Sequence, residues 1–239
     1  MAKTTGAYLM EILGVSTITD LKQEVKNPNR VNVFIDGAFA FSLDVAQVVD
    51  LKVKVGRKLS SEELEELKRA SEFGKAYQRA LEWVLVRPRS VRELKDYLKR
   101  SKYKKEMEER KKEWQMKDGG RERKRERTDT IDFSGMILER IVERGYVDDK
   151  KFAEWYVENR FVKKGVSKKR LKMELVEKGV SREIIDEVVD IRDDEEEIKK
   201  IILKKRSKYD DEKLIGYLCR QGFSYDLAKE MVKKEASAS

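Results

Sequence analysis

The chain has 239 residues, 55 basic and 46 acidic, giving a net charge of +9, with one cysteine and no histidine. A single cysteine excludes an intramolecular disulfide, and the lack of histidine removes the commonest acid–base group and metal ligand. Charged residues make up 42% and aromatics 8%, a balance that suits a helical protein with much exposed surface better than one deep core.

The opening residues hold an apolar patch from Ala7 to Val15, interrupted by Glu11 and followed by no signal-cleavage pattern. No apolar run approaches the roughly 18 residues that span a bilayer. The chain is therefore expected to be cytoplasmic, with a frayed leader or packing strand at its start. Val31, Val33 and Ile35 alternate, Asp36-Gly37 is a favoured two-residue hairpin loop, and Phe39, Phe41 and Leu43 alternate on the return. Ile18 to Val25 predicts a third strand. With Phe34, Phe39 and Phe41 assigned to one face, the small sheet is expected to cap the helices that follow, and binding a partner by its edge is the other reading. A short helix over Leu43–Val49 and an extended Val53–Val55 come next. Ser60 and Glu63 then form a capping box that opens a helix through Leu64 and Leu67.

From Phe73 the pattern is helical and repetitive. The stretch 149–189 reads as three short helices, stopped by Gly165 and Gly179 and capped at Ser167 and Ser181. Leu214, Leu218, Gly222, Phe223, Leu227 and Met231 follow Leu171, Leu175, Gly179, Val180, Ile184 and Val188 at a constant offset of 43 residues. Upstream, Ser90, Leu94, Leu98 and Tyr103 take the places of Ser167, Leu171, Leu175 and Val180, with Lys102 where the other copies have glycine. Tyr77, Leu81, Val84 and Leu85 give the first helix of that copy its stripe, and Ser90 with Glu93 predicts a second capping box. A fixed period with one supersecondary unit per copy indicates a helical array. The fold class is therefore mainly α: an elongated array of three tandem three-helix repeats behind a small N-terminal β-rich head. The expected domains are the head at 1–72 and repeats at 73–147, 148–190 and 191–239. A charged insertion occupies about 104–129, helical to about Lys117 and mobile after Gly119.

Catalytic chemistry is hard to find. There is no GxxxxGK[ST] phosphate loop, and Cys219 has no partner for a zinc site. Asp148-Asp149 and Asp210-Asp211 suit magnesium in principle, but both lie at predicted helix starts, where capping explains them. No enzyme activity, metal or cofactor is expected.

What remains is charge. Residues 73–190 carry 33 basic and 24 acidic side chains, against 10 and 11 in residues 1–72 and 12 and 11 in residues 191–239. Such a body attracts polyanions, either nucleic acid or an acidic protein surface. The cations gather between the first and second helix of each repeat. They are Arg87, Arg89 and Arg92; then Arg160, Lys163, Lys164, Lys168, Lys169, Arg170 and Lys172; then Lys204, Lys205, Arg206 and Lys208. One elbow alone reads as a solvated helix end, where cations complement the dipole. Three in equivalent positions, one with seven cations and no acid from Arg160 to Met173, predict a binding surface.

The segments Asn27–Leu43, Ala76–Leu98 and Gly145–Arg160, in this order, resemble the RecX regulatory proteins, over roughly Ile18 to Glu235. The chain departs from that pattern at Lys102 and in the charged insertion. The resemblance implies a non-enzymatic regulator of the RecA recombinase that lies on the RecA filament on single-stranded DNA, inhibits its ATPase and strand exchange or promotes its disassembly, and acts as a monomer. A basic helical-repeat protein that competes directly for single-stranded DNA is the alternative.

Overall fold

The structure, a computed structural model, describes residues 15–25, 27–117, 131–160 and 165–237, with backbone alone at 109–117. The segment before Val15, Lys163, Lys164 and the part of the insertion after Lys117 lie outside the described residues. Two compact units divide between Ala80 and Leu81.

In the first unit, β1 (Ser16–Gln23), β2 (Arg30–Ile35), β3 (Ala38–Asp44) and β4 (Lys58–Leu59) form an antiparallel sheet in the order β3-β2-β1-β4. Helix α1 (Val45–Asp50) starts at a capping box between Asp44 and Gln47. Ser60 and Glu63 form the box expected at the start of α2 (Ser61–Leu85). The phenylalanines do not share a face. Val33 pairs with Phe41 but Phe34 pairs with Phe39, so Ala40 is an extra residue that reverses the alternation. Phe41 turns into the core with Ile18, Val33 and Leu43, while Phe39 is 57% exposed beside Phe34. No break falls at Phe73: α2 runs through it, and the buried apolar side chains beyond it are Ala80 and Val84, with Leu85 exposed.

The second unit contains the end of α2 followed by α3 (Val91–Lys117), α4 (Ser134–Glu143), α5 (Asp149–Asn159), α6 (Lys168–Glu177), α7 (Arg182–Val189), α8 (Asp194–Lys205), α9 (Asp211–Arg220) and α10 (Tyr225–Ser237). Asp148, Ser167, Ser181, Asp193 and Asp210 cap their helices with side-chain oxygens. Helices α5–α7 enclose one core, built on Phe152, Leu171, Leu175 and Val189. A second core, built on Ile198, Leu214, Leu218 and Met231, lies within α8–α10. Because Lys102 stands where glycine stops the other copies, α3 continues to Lys117. That continuation carries Tyr103 out to 63% exposure, where the equivalent Val180 and Phe223 are buried.

Successive repeats join through the same contacts twice. Ser90 Oγ caps the Glu93 N–H at 3.1 Å and donates its own proton to the carbonyl of Lys178 at 2.8 Å. Ser167 Oγ caps the Arg170 N–H and donates to the carbonyl of Gln221 at 2.7 Å. Beside each serine, the next residue's N–H, of Val91 or Lys168, donates at 2.8 Å to the carboxylate of Asp149 or Asp194, which opens the first helix of the following repeat. The second helices thus meet end to end, the C-terminus of one against the N-terminus of the preceding one. Gly179 and Gly222, at φ +80° and +96°, permit the approach. A Cβ on Gly179 would strike the Arg92 stem, and one on Gly222 would strike Ser167 Oγ. In the third repeat the cap is Asp210, which accepts from Lys213 but has no hydroxyl proton to pass on. Ser167→Asp is therefore expected to keep the α6 cap yet lower stability, because a carboxylate would face the Gln221 carbonyl. A chemical-denaturation midpoint equal to that of the parent would contradict the shared bond.

Candidate functional site

The first two elbows sit beside a junction, and folding has already engaged many of the cations in all three. In the second elbow, the Glu174 carboxylate accepts from Arg160 Nε at 2.8 Å, Arg170 Nε at 3.2 Å and the Tyr156 hydroxyl at 2.7 Å. Burial pushes the Glu174 carboxyl up, but these three donors outweigh it and hold it below the usual range. Burial first, and then the bond to Glu174, push the Tyr156 hydroxyl up to about 12, so it remains a donor. Arg170 also reaches Gln221 Oε1 at 2.6 Å, Lys172 pairs with Asp186 at 2.6 Å, and Lys168 lies 3.8 Å from Asp190. Glu174 further along α6, and Asp186 and Asp190 on or just beyond α7, therefore neutralise a stretch that has no acid of its own. Lys169 is exposed and has no ion pair among the described residues.

In the first elbow, Arg87 makes two hydrogen bonds to Glu93, each 3.1 Å, and Lys178 meets the same carboxylate. Glu93 N–H caps onto Ser90, but its side chain turns to these cations, so the box expected there is half formed. Burial raises the Glu93 carboxyl, and Arg87 and Lys178 bring it below its ordinary value. Arg92 is exposed and unpaired among the described residues. Arg89 lies over the Trp83 indole at 4.0 Å, and Trp83 stacks on Tyr97 at 4.4 Å and 15°.

The third elbow differs again. Lys205 stands over the rings of Tyr209 and Tyr217 at 5.6 and 5.3 Å, and Arg206 pairs with Asp211 at 2.5 Å. Lys204 and Lys208 are exposed, without ion pairs among the described residues. Fixed period thus carries three chemistries at one location: an aromatic stack, a carboxylate network and a cation on tyrosines.

The sequence marks Glu93 only as a cap and gives no role to the other anchors, Glu174, Lys178, Trp83 and Tyr97. Tyr97, Glu174 and Tyr217 occupy the same repeat position, a signal that the alignment contained. The hollow lined by Tyr209, Glu212, Lys213, Gly216 and Arg220 is an open groove of about 320 Å³. Among the described residues no three metal-ligating side chains gather, and no helix is long and apolar enough to cross a membrane.

Two family models match: the RecX N-terminal domain at residues 16–60 and the second three-helix domain of RecX at residues 148–189. Regulatory protein RecX of Listeria monocytogenes serotype 4a is 29% identical over 92% of this chain and 76% of its own length. That of Clostridium perfringens strain SM101 is 28% identical over 91% of this chain and 95% of its own. A crystal structure of a regulatory protein RecX shares the fold, with a TM-score of 0.62 at 22% identity, covering 92% of this chain and 99% of that one. The matched hairpin domain and the matched three-helix unit, in this order, together with likeness along most of the chain, make it similar to the RecX regulatory proteins.

Proposed function

We propose that this chain is a non-enzymatic regulator of RecA recombinase in the cytoplasm. On this reading it binds, as a monomer, the RecA filament on single-stranded DNA, inhibits ATPase and strand exchange or promotes disassembly, and so modulates recombination and DNA repair. The observation that carries the reading is the residue of charge left after folding. Arg92, Lys169, Lys204 and Lys208 are exposed and unpaired among the described residues, and they lie at all three elbows of a family-typical array. Contacts spread over linked repeats add by avidity, so each one can be modest.

The same free cations support a second reading, direct competition for the single strand. Binding to bare single-stranded DNA and to the assembled filament, each measured against salt, separates the two. Preference for the filament that persists as salt rises supports the first; equal affinity with a steep counterion-release slope supports the second. Lys169→Glu is expected to weaken filament binding and leave the unfolding midpoint in place. The exposed Lys169 has no hydrogen bond or ion pair at the junction among the described residues, whereas Arg170 holds Glu174 and Gln221. A Lys169→Glu protein that inhibits the recombinase ATPase as well as the parent would remove the second elbow from the binding surface.

A further inference from the structure

Arg89 differs from every other elbow cation with a described side chain. Its Nε is shielded from solvent and has no hydrogen-bond partner. Its guanidinium lies on the Trp83 face at 4.0 Å, and Trp83 is itself held by Tyr97. A guanidinium stacked in this way is fixed in plane and keeps its hydrogen-bonding edges unspent. A donor left shielded and unpaired is destabilising. Burial draws the guanidinium below its ordinary pKa, and neighbouring Arg87 adds to this. Glu93, the acid beside it, is already occupied by Arg87 and Lys178.

We propose that Arg89, pinned on Trp83, forms with the unpaired Arg92 a phosphate-binding site for the backbone of single-stranded nucleic acid. Arg92 is positioned by the next repeat. Its Cβ and Cδ lie where a Gly179 side chain would be, so its stem rests against bare backbone while its head stays exposed. Lys169 occupies the Arg92 position one repeat on. A polymer with a charge at every unit can engage both positions, which a single acidic side chain cannot, and a planar guanidinium matches phosphate oxygens two at a time. The inference rests on the reading above only in that the elbows face the filament's strand; bare strand is enough to test it.

The test uses the full chain and a fluorescent oligothymidylate, titrated at several salt concentrations. Arg89→Gln and Arg92→Gln are each expected to weaken binding about tenfold, the loss of one charge-assisted contact. Each should also flatten the slope of log affinity against log salt by about 0.7. Arg89→Lys, which keeps the charge and loses the fork, should lose nearly as much as Arg89→Gln and serves if the glutamine protein does not fold. Unchanged affinity in these variants, with filament binding intact, overturns the site alone. Weaker binding at an unchanged salt slope also overturns it, because no phosphate contact has been lost. Wild-type protein that ignores the recombinase filament while oligothymidylate binding still depends on Arg89 overturns the regulator reading and supports the site.

Discussion

Replacing Glu197 with alanine is expected to lower the unfolding free energy by about 3–5 kcal/mol, the range for breaking a buried ion pair by removing one partner. The Glu197 side chain is 2% exposed. It accepts from Arg192 at 2.9 Å and Lys200 at 2.6 Å through one oxygen, and from the Val166 N–H at 3.0 Å through the other. Arg192 in turn donates to the carbonyls of Val157 and Glu158, at the end of α5. Truncation would strand a shielded cation and a buried N–H together. Glu197→Gln, which keeps an acceptor, should cost less. Urea unfolding followed by circular dichroism reads both, and an alanine protein within about 1 kcal/mol of the parent would show that the pair is not needed.

Phe152→Ala is expected to cost about 3–5 kcal/mol. Phe152 is fully buried at the centre of the second repeat, with Trp155 and Tyr156 against it at centroid distances of 6.2 and 5.6 Å. It stands where Glu197 stands in the third repeat, 45 residues on, and Val147 stands where Arg192 does. One repeat thus fills this location with an aromatic ring and the next with a charged pair. The double change Arg192→Val with Glu197→Phe should accordingly be more stable than Glu197→Ala, since removing both charges strands neither. A double variant less stable than the alanine protein would show that the ring cannot stand in for the charged pair at this location.

The repeats were legible because their signals are local. Cap serines, glycine stops and leucines one turn apart act within ten residues, and Ser167, Gly179, Leu171 and Leu175 have the expected roles. The run of α3 past Lys102 was legible for the same reason, as a stop that is missing. The orientation of Phe39 was not, because an extra residue in a strand reverses every side chain beyond it and Ala40 carries no mark of being extra. Nor was the state of the elbow cations. Arg160 and Arg170 share an acid that comes after them in sequence, and Lys172 and Lys168 find theirs on or just beyond α7, at Asp186 and Asp190. A count of charges along the chain cannot foresee pairings made across it.

The two junctions share their backbone bonds but not their third contact. Lys178 meets Glu93 at the first, and at the second its counterpart Gln221 meets Arg170. If one second repeat were to follow another, whether by a swapped segment or between two molecules, Arg170 would face Lys178, and two like charges would oppose the bonds that drew the helices together. The serine hydrogen bonds therefore say only that some repeat follows, while the residue three places beyond the serine says which. The order of the array is written at its seams, and the same rule guards the chain against polymerising through its middle repeat.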